Sequence, residues 1–498
     1  MTDRRPNILL VVADDHAANA VGCYGSGITG HITGHPDFGT PNIDRLAAGG
    51  ARFRACGCTN SLCAPSRATI LTGTYNHRNG VTTLSTEFDA RQPTFPSLLR
   101  EAGYRTALVG KWHLGHGGVH DPRGFDHWEV LPDQGDYHDP AFLTMDGRSH
   151  VRPGYATDVI TDLALDWLGQ RDGKDEAPWC LLVQHKAPHR PWEPADRHKT
   201  LYDDADVPMP HTFFDDYTGR AEAAARARMR VGRDLNREDL KADPPPGVDA
   251  EDYARWAYQR YIADYLRCVA AIDENVGRLL DHLDDTGQSD DTVVVYTSDQ
   301  GFFLGEHGWY DKRFMYAESL QMPLVVRYPR LVPPGLVNDA LVLNVDFAQT
   351  FLDLAGVPAH PRMQGRSMLP LLRGEDTESV GWRGSAYYRY WEHLDSIHHV
   401  AAHRGVRTPD RKLVHYYGSG CGQPGASEQA TAPEWELFDL AADPAETRSV
   451  HDDPAYADDL ARLRAELDRL AGELGDTVPD APAHDPGEHH TAPTKEAP

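Results

Sequence analysis

No uninterrupted apolar stretch in the 498 residues reaches the ~20 positions that a membrane-crossing helix needs. Basic charge is also short. The 49 lysines and arginines face 75 aspartates and glutamates, a formal net charge of −26. That balance argues against nonspecific nucleic-acid binding and against docking on anionic lipid, so an anionic substrate would need a locally basic pocket. Cysteine is sparse and odd in number: seven, at 23, 56, 58, 63, 180, 268 and 421, too scattered for a disulfide framework. Cys56 and Cys58 alone are too few for a zinc site. The basic start, Met1–Pro6, precedes an apolar run too short for a signal-peptide core, so a cytoplasmic protein is expected. Internal repeats are lacking too. Hydrophobic residues at 40% and charged residues at 25% are ordinary for a globular chain with a large core and more than one domain.

Several short apolar runs are present, and each ends in polar side chains. Asn7–Ala13 delivers Asp14, Asp15 and His16; Tyr104–Val109 leads to Gly110, Lys111, Trp112 and His113. Trp179–Gln184 hands over to His185-Lys186-Ala187-Pro188-His189, and Thr292–Thr297 to Ser298-Asp299-Gln300-Gly301; Pro323–Tyr328 is a fifth. Continuous apolar runs of this length suit strands buried on both faces of a parallel sheet. Helical spacing separates them, in 96–102, 155–167 and 258–283. The alternation predicts an open α/β sheet with its ligand site beyond the strand carboxyl ends.

One stretch, Asn60–Gly73, stands out. In Cys63-Ala64-Pro65-Ser66-Arg67, Pro65 suits a first helical turn, which places Cys63 just ahead of a helix N-terminus. Free amide hydrogens there favour an anion, and Arg67, one turn on, adds fixed positive charge. Asp14, Asp15, Asp299 and the Gln300 carbonyl are hard oxygen donors suited to calcium, less well to magnesium, and not to a soft metal.

Cys63-Ala64-Pro65-Ser66-Arg67 followed by Leu71-Thr72-Gly73 resembles the signature of the type I sulfatases, members of the alkaline phosphatase superfamily. The resemblance runs from Asn7 to about Val450. It implies an α/β/α sandwich with a smaller C-terminal α+β domain containing an antiparallel sheet. It also implies that a maturation enzyme oxidises Cys63 to Cα-formylglycine, whose hydrate attacks sulfur beside a calcium ion held by Asp14, Asp15, Asp299, Gln300 and the residue-63 side chain. Family positions match residue by residue. Arg67 would stabilise the diol, Lys111 and Lys312 would bind sulfate oxygens, His113 would assist sulfate expulsion, and His189 or a lysine would protonate the leaving group. Gln300 is a departure, since Asn or His is frequent at that position.

Between Ser298 and Lys312 the chain looks like the branch of N-acetylglucosamine-6-sulfatases and related glycan sulfatases, which implies a small sulfated carbohydrate as substrate. The expected domains are 1–379, with a charged surface insertion at 215–249, and 380–475, followed by a disordered proline-rich tail at 476–498. Strands are expected at 386–390, 411–416 and 434–440, and Tyr390, Trp391, His393, His398 and His399 are candidates for a sugar subsite. Two alternatives remain open: a phosphodiesterase or phosphonate monoester hydrolase of the same superfamily, and a non-catalytic glycan- or anion-binding protein with unconverted Cys63.

Overall fold

A computed structural model describes residues 5–25, 39–171 and 177–477. Its spine is a ten-stranded sheet. In chain order the strands are β1 (Asn7–Ala13), β2 (Ala51–Phe53), β3 (Arg105–Lys111), β4 (His127–Leu131), β5 (Ala141–Thr144), β6 (Ser149–Val151), β7 (Trp179–Gln184), β8 (Thr292–Ser298), β9 (Leu324–Arg327) and β10 (Leu336–Asn338). Their spatial order is β10-β2-β9-β8-β1-β7-β3-β4-β5-β6. The centre is parallel: β1 pairs with β7 and β8, and β7 with β3, with Val12 opposite both Gln184 and Thr297. Every residue of β1, β7 and β8 is buried. Unbroken apolar runs therefore form the middle strands, which have water on neither face.

Helices Pro41–Ala48, Ala156–Gly169 and Ala250–Asp285 pack together, as do Cys63–Thr72, Phe95–Glu101 and Phe347–Leu354, and the two groups touch opposite faces of the sheet. The result is the α/β/α sandwich expected from the alternation. The longest helix begins eight residues before the apolar spacing becomes regular at Tyr258, because Asp249 caps it by accepting from the Asp252 amide. The 215–249 stretch, read as a surface excursion, contributes Ala223, Ala224, Met229, Val231 and Leu235 to buried packing beneath its charged exterior.

A separate four-stranded antiparallel sheet follows, β11 (Ala386–Tyr390), β12 (His403–Arg407), β13 (Arg411–Tyr416) and β14 (Glu434–Asp439), paired in sequence order. Its side chains alternate. Tyr387, Val406, Leu413 and Leu437 face helix Ala457–Leu474 through Leu463, Leu467 and Ala471. Tyr388, Val414, Tyr416 and Phe438 join the main core. The strand absent from the sequence expectations, β12, reads His-Arg-Gly-Val-Arg. Its Gly405 is required by packing, since a Cβ there would meet the Met315 sulfur at 2.3 Å. The tail expected from 476 lies outside the described residues from 478 onward, but Asp476 is buried and paired with Arg389 at 2.8 Å.

No helix among the described residues is long and apolar enough to cross a membrane.

Candidate active site

Because β1, β3, β7 and β8 run parallel, their carboxyl ends share one edge of the sheet. Asp14 and Asp15 leave β1, Lys111 ends β3 with His113 two residues on, His189 follows β7, and Asp299 and Gln300 follow β8. Cys63 arrives from elsewhere, as the first residue of helix Cys63–Thr72 rather than just ahead of it. This helix is buried along its whole length and has no side-chain N-cap, which leaves its first amide hydrogens to whatever anion lies at its start.

Asp14, Asp15 and Asp299 each offer a carboxylate oxygen within 4.8 Å of the others, and Asp14, Cys63 and His189 form a second such group. All three aspartates are buried. Burial, reinforced by neighbouring carboxylates, pushes Asp15 and Asp299 above the usual carboxylate range. Burial acts on Asp14 too, but the positive charge of Lys111, Arg67 and Lys312 outweighs it and holds Asp14 well below that range. Arg67 braces the trio: its Nε donates to Asp299 at 2.9 Å, one Nη to Gln184 Oε1 at 2.6 Å and to the Lys111 carbonyl at 3.0 Å. Asp14 Oδ1 and Gln300 Oε1 are buried with no hydrogen-bond partner. Two orphaned hard oxygens beside crowded carboxylates fit a divalent hard cation, with Asp14, Asp15, Asp299 and Gln300 as its ligands.

Two lysines enter this acidic centre, Lys111 on Asp14 and Lys312 on Asp15, both buried. Burial would lower the Lys312 pKa, but the charge of Asp15 and of its neighbours overcomes it and the ammonium is held above its usual range. His113 and His189 are both kept neutral, first by burial and then by the positive charge of Lys111. His189 Nδ1 donates to the Arg190 carbonyl at 2.8 Å, so Nε2 faces Asp15 Oδ2 at 3.7 Å. Burial also pushes the Cys63 thiol up to about 12. Unconverted Cys63 in the folded, metal-free chain is therefore expected to alkylate with iodoacetamide at pH 8 roughly a thousandfold more slowly than a free thiol. The rate should climb about tenfold per pH unit towards pH 11, read by peptide mass spectrometry.

Gln134 was not among the residues singled out in the sequence. It accepts from Lys111 Nζ at 2.5 Å and donates to His113 Nε2 at 3.2 Å, joining two candidates that sit on the same strand end. Its signal was faint: it follows β4, where His127 and Glu129 break the apolar run. Lys186, lowered to about 8 by burial and by the charge of Lys111, lies 4.8 Å over the Tyr137 ring beside the same centre.

The five side chains offered as a sugar subsite do not gather at this centre as a group. Trp391 is buried against the Arg389 guanidinium, 3.8 Å from the ring centre. His393 accepts from the Ala402 amide at 3.1 Å and bonds the Gln429 carbonyl at 2.9 Å, so it holds a loop of the small domain. His399 is half-buried with φ 55°, and Tyr390 packs in the main core. Only His398 reaches towards the site: it bridges Asp395 at 3.0 Å and Asp311 at 3.3 Å, next to Lys312.

Comparison with known proteins places this geometry in context. The sulfatase family pattern matches residues 6–357, and that of the N-sulphoglucosamine sulphohydrolase C-terminal region matches 305–473. An N-acetylglucosamine-6-O-sulfatase of Bacteroides thetaiotaomicron is 41% identical over 520 aligned positions, covering 96% of this chain and 88% of that protein. A solved structure of BT4656, in complex with its substrate D-glucosamine-2-N,6-O-disulfate, superposes with a TM-score of 0.85 at 40% identity, over 96% of this chain and 100% of the other. A phosphonate monoester hydrolase from Silicibacter pomeroyi shares the fold, with a TM-score of 0.72 at 24% identity over 96% of each chain.

Proposed function

The chain belongs to the sulfatase family, whose members are sulfuric ester hydrolases, and from that premise we propose that it removes the 6-O-sulfate of a glucosamine unit. The observation that carries the reading is the buried Cys63 at a helix start, beside three carboxylates, with Lys111 and Lys312 entering the same centre. The substrate class is supported by the N-acetylglucosamine-6-O-sulfatase and by the glucosamine disulfate bound to BT4656.

A formylglycine hydrate at position 63 would supply a hydroxyl nucleophile, and calcium held by Asp14, Asp15, Asp299 and Gln300 would supply positive charge opposite the sulfuryl oxygens. The remaining work falls to this chain's side chains. Lys111 and Lys312 are ammonium donors that turn from Asp14 and Asp15 to an incoming sulfate, where they neutralise charge that grows as the ester bond breaks. Arg67 keeps the carboxylates in place by its Asp299 and Gln184 bonds. His113, neutral and with its lone pair on Nε2 where Gln134 donates, is the base that receives a proton there when sulfate is expelled. His189 is the most exposed of the three candidate proton donors, 13% against 3% for Lys312 and 0% for Lys111. A sugar leaving group lies on the solvent side, and His189, protonated at Nε2 once the bound sulfate adds negative charge to the site, is the proton donor to it.

The test is a panel of N-acetylglucosamine 6-sulfate, glucosamine 2-N,6-O-disulfate and an aryl phosphodiester, assayed with chain matured by a formylglycine-generating enzyme. Sulfate release from the two sugars should exceed phosphodiester cleavage by at least ~100-fold in kcat/KM. Faster phosphodiester turnover would replace this reading with the diesterase one. Mass spectrometry of the Cys63 peptide should show the loss expected when thiol becomes aldehyde.

A further inference from the structure

At the far end of the active-site helix from Cys63, a cavity of about 540 Å³ opens between the loop at 361–366 and helix Ala457–Leu474. The helix spans ten residues, so the two places are roughly 15 Å apart along its axis. The chain's net charge is −26, yet this cavity is lined by five arginines and one carboxylate, Glu473. Two of the arginines are already neutralised: Arg383 grips Asp346, and Arg469 grips Glu466 and Glu473. The other three have no carboxylate partner among the described residues. Arg362 donates to the Arg78 carbonyl at 3.1 Å and Arg366 to the Gly381 carbonyl at 3.1 Å, while the Arg78 side chain is exposed and unbonded.

Three uncompensated guanidinium groups around one concavity repel one another, and an anion that joins them removes the cost. Their planar forks match multi-oxygen anions such as sulfate and carboxylate groups. Trp382 and Tyr75 add ring surface to the same lining, which suits the apolar face of a sugar. We propose that this cavity is a second, non-catalytic site for an anionic saccharide. That the saccharide is sulfated rests on the reading under Proposed function.

The experiment is titration calorimetry of a heparin-derived disaccharide into Cys63→Ala chain, in which turnover cannot confuse binding. Two sites are expected, and Arg78→Glu should leave one. The triple variant Arg78→Ser/Arg362→Ser/Arg366→Ser should do the same. In the matured chain neither change should alter kcat/KM for N-acetylglucosamine 6-sulfate. Arg78 has no bond to lose, so Arg78→Glu decides the matter even where the triple variant does not fold. A single site in the Cys63→Ala chain, a second site that survives Arg78→Glu, or equal binding of a neutral disaccharide would overturn the proposal. Arg78-sensitive binding in a chain without sulfatase turnover would instead overturn the function reading and leave this site standing.

Discussion

Cys63→Ala is expected to lower sulfate-ester hydrolysis by at least ~10⁴-fold in kcat while the folded chain survives. The two halves of that statement have separate causes. Alanine at 63 cannot be converted, so the nucleophile is removed outright, and the lysines, Arg67 and the histidines have no bond to stabilise. The fold is spared because the Cys63 side chain is buried without belonging to the apolar cluster that packs Leu62, Ala64 and Ala68 into the core. Losing one small sulfur next to polar groups should cost about 1 kcal/mol or less, well under the cost of truncating a packed aliphatic side chain. Circular dichroism and melting temperature check the second half and a sugar-sulfate assay the first. Activity above ~1% of the parent in the alanine variant would show that residue 63 is not the nucleophile.

What could be read in the sequence follows from where water is. β1, β7 and β8 are shielded on both faces, so their composition is nearly pure and their ends can be located to within a residue. In a parallel sheet those ends are neighbours in space, which is why Asp14, Lys111, His189 and Asp299 converge although 285 residues separate the first from the last. Strands away from the centre carry no such purity. β4 includes His127 and Glu129, and β6 is wholly exposed, so neither declares itself by pattern, and Gln134 was lost with β4. The small domain fails differently. Aromatic and histidine side chains in Tyr390–His399 suggest a subsite, but whether Trp391 faces a sugar or Arg389 is set by sheet register and loop packing. Residue spacing does not encode that choice. The arginine cavity was equally hidden, because Arg78, Arg362 and Arg469 come from three distant segments that only the folded chain brings together.

Calcium should raise the melting temperature of the parent chain and leave that of Asp299→Asn unmoved. In the metal-free chain three buried carboxylates crowd together, and Asp15 and Asp299 are pushed upward by burial and by the charge of Asp14. Lys111, Lys312 and Arg67 offset only part of this. A divalent cation removes the remaining repulsion and satisfies Asp14 Oδ1 and Gln300 Oε1, so it binds the folded state and not the unfolded one. At a hundredfold excess over Kd that linkage amounts to about 2.7 kcal/mol, a rise of a few degrees, and chelation should reverse it. Asparagine keeps one oxygen, which still accepts from Arg67 Nε, but its amide nitrogen then faces the Asp15 amide and that bond is lost. It also loses a negative charge, and relief of the crowding with Asp14 offsets the lost bond. The metal-free variant should accordingly melt no lower than the metal-free parent, whereas its calcium affinity should fall by on the order of a hundredfold, with hydrolysis abolished. This pairing separates a metal site from a structural ion pair. If Asp299 served only to anchor Arg67, Asp299→Asn would destabilise the chain with and without calcium alike, and the calcium-dependent rise would persist.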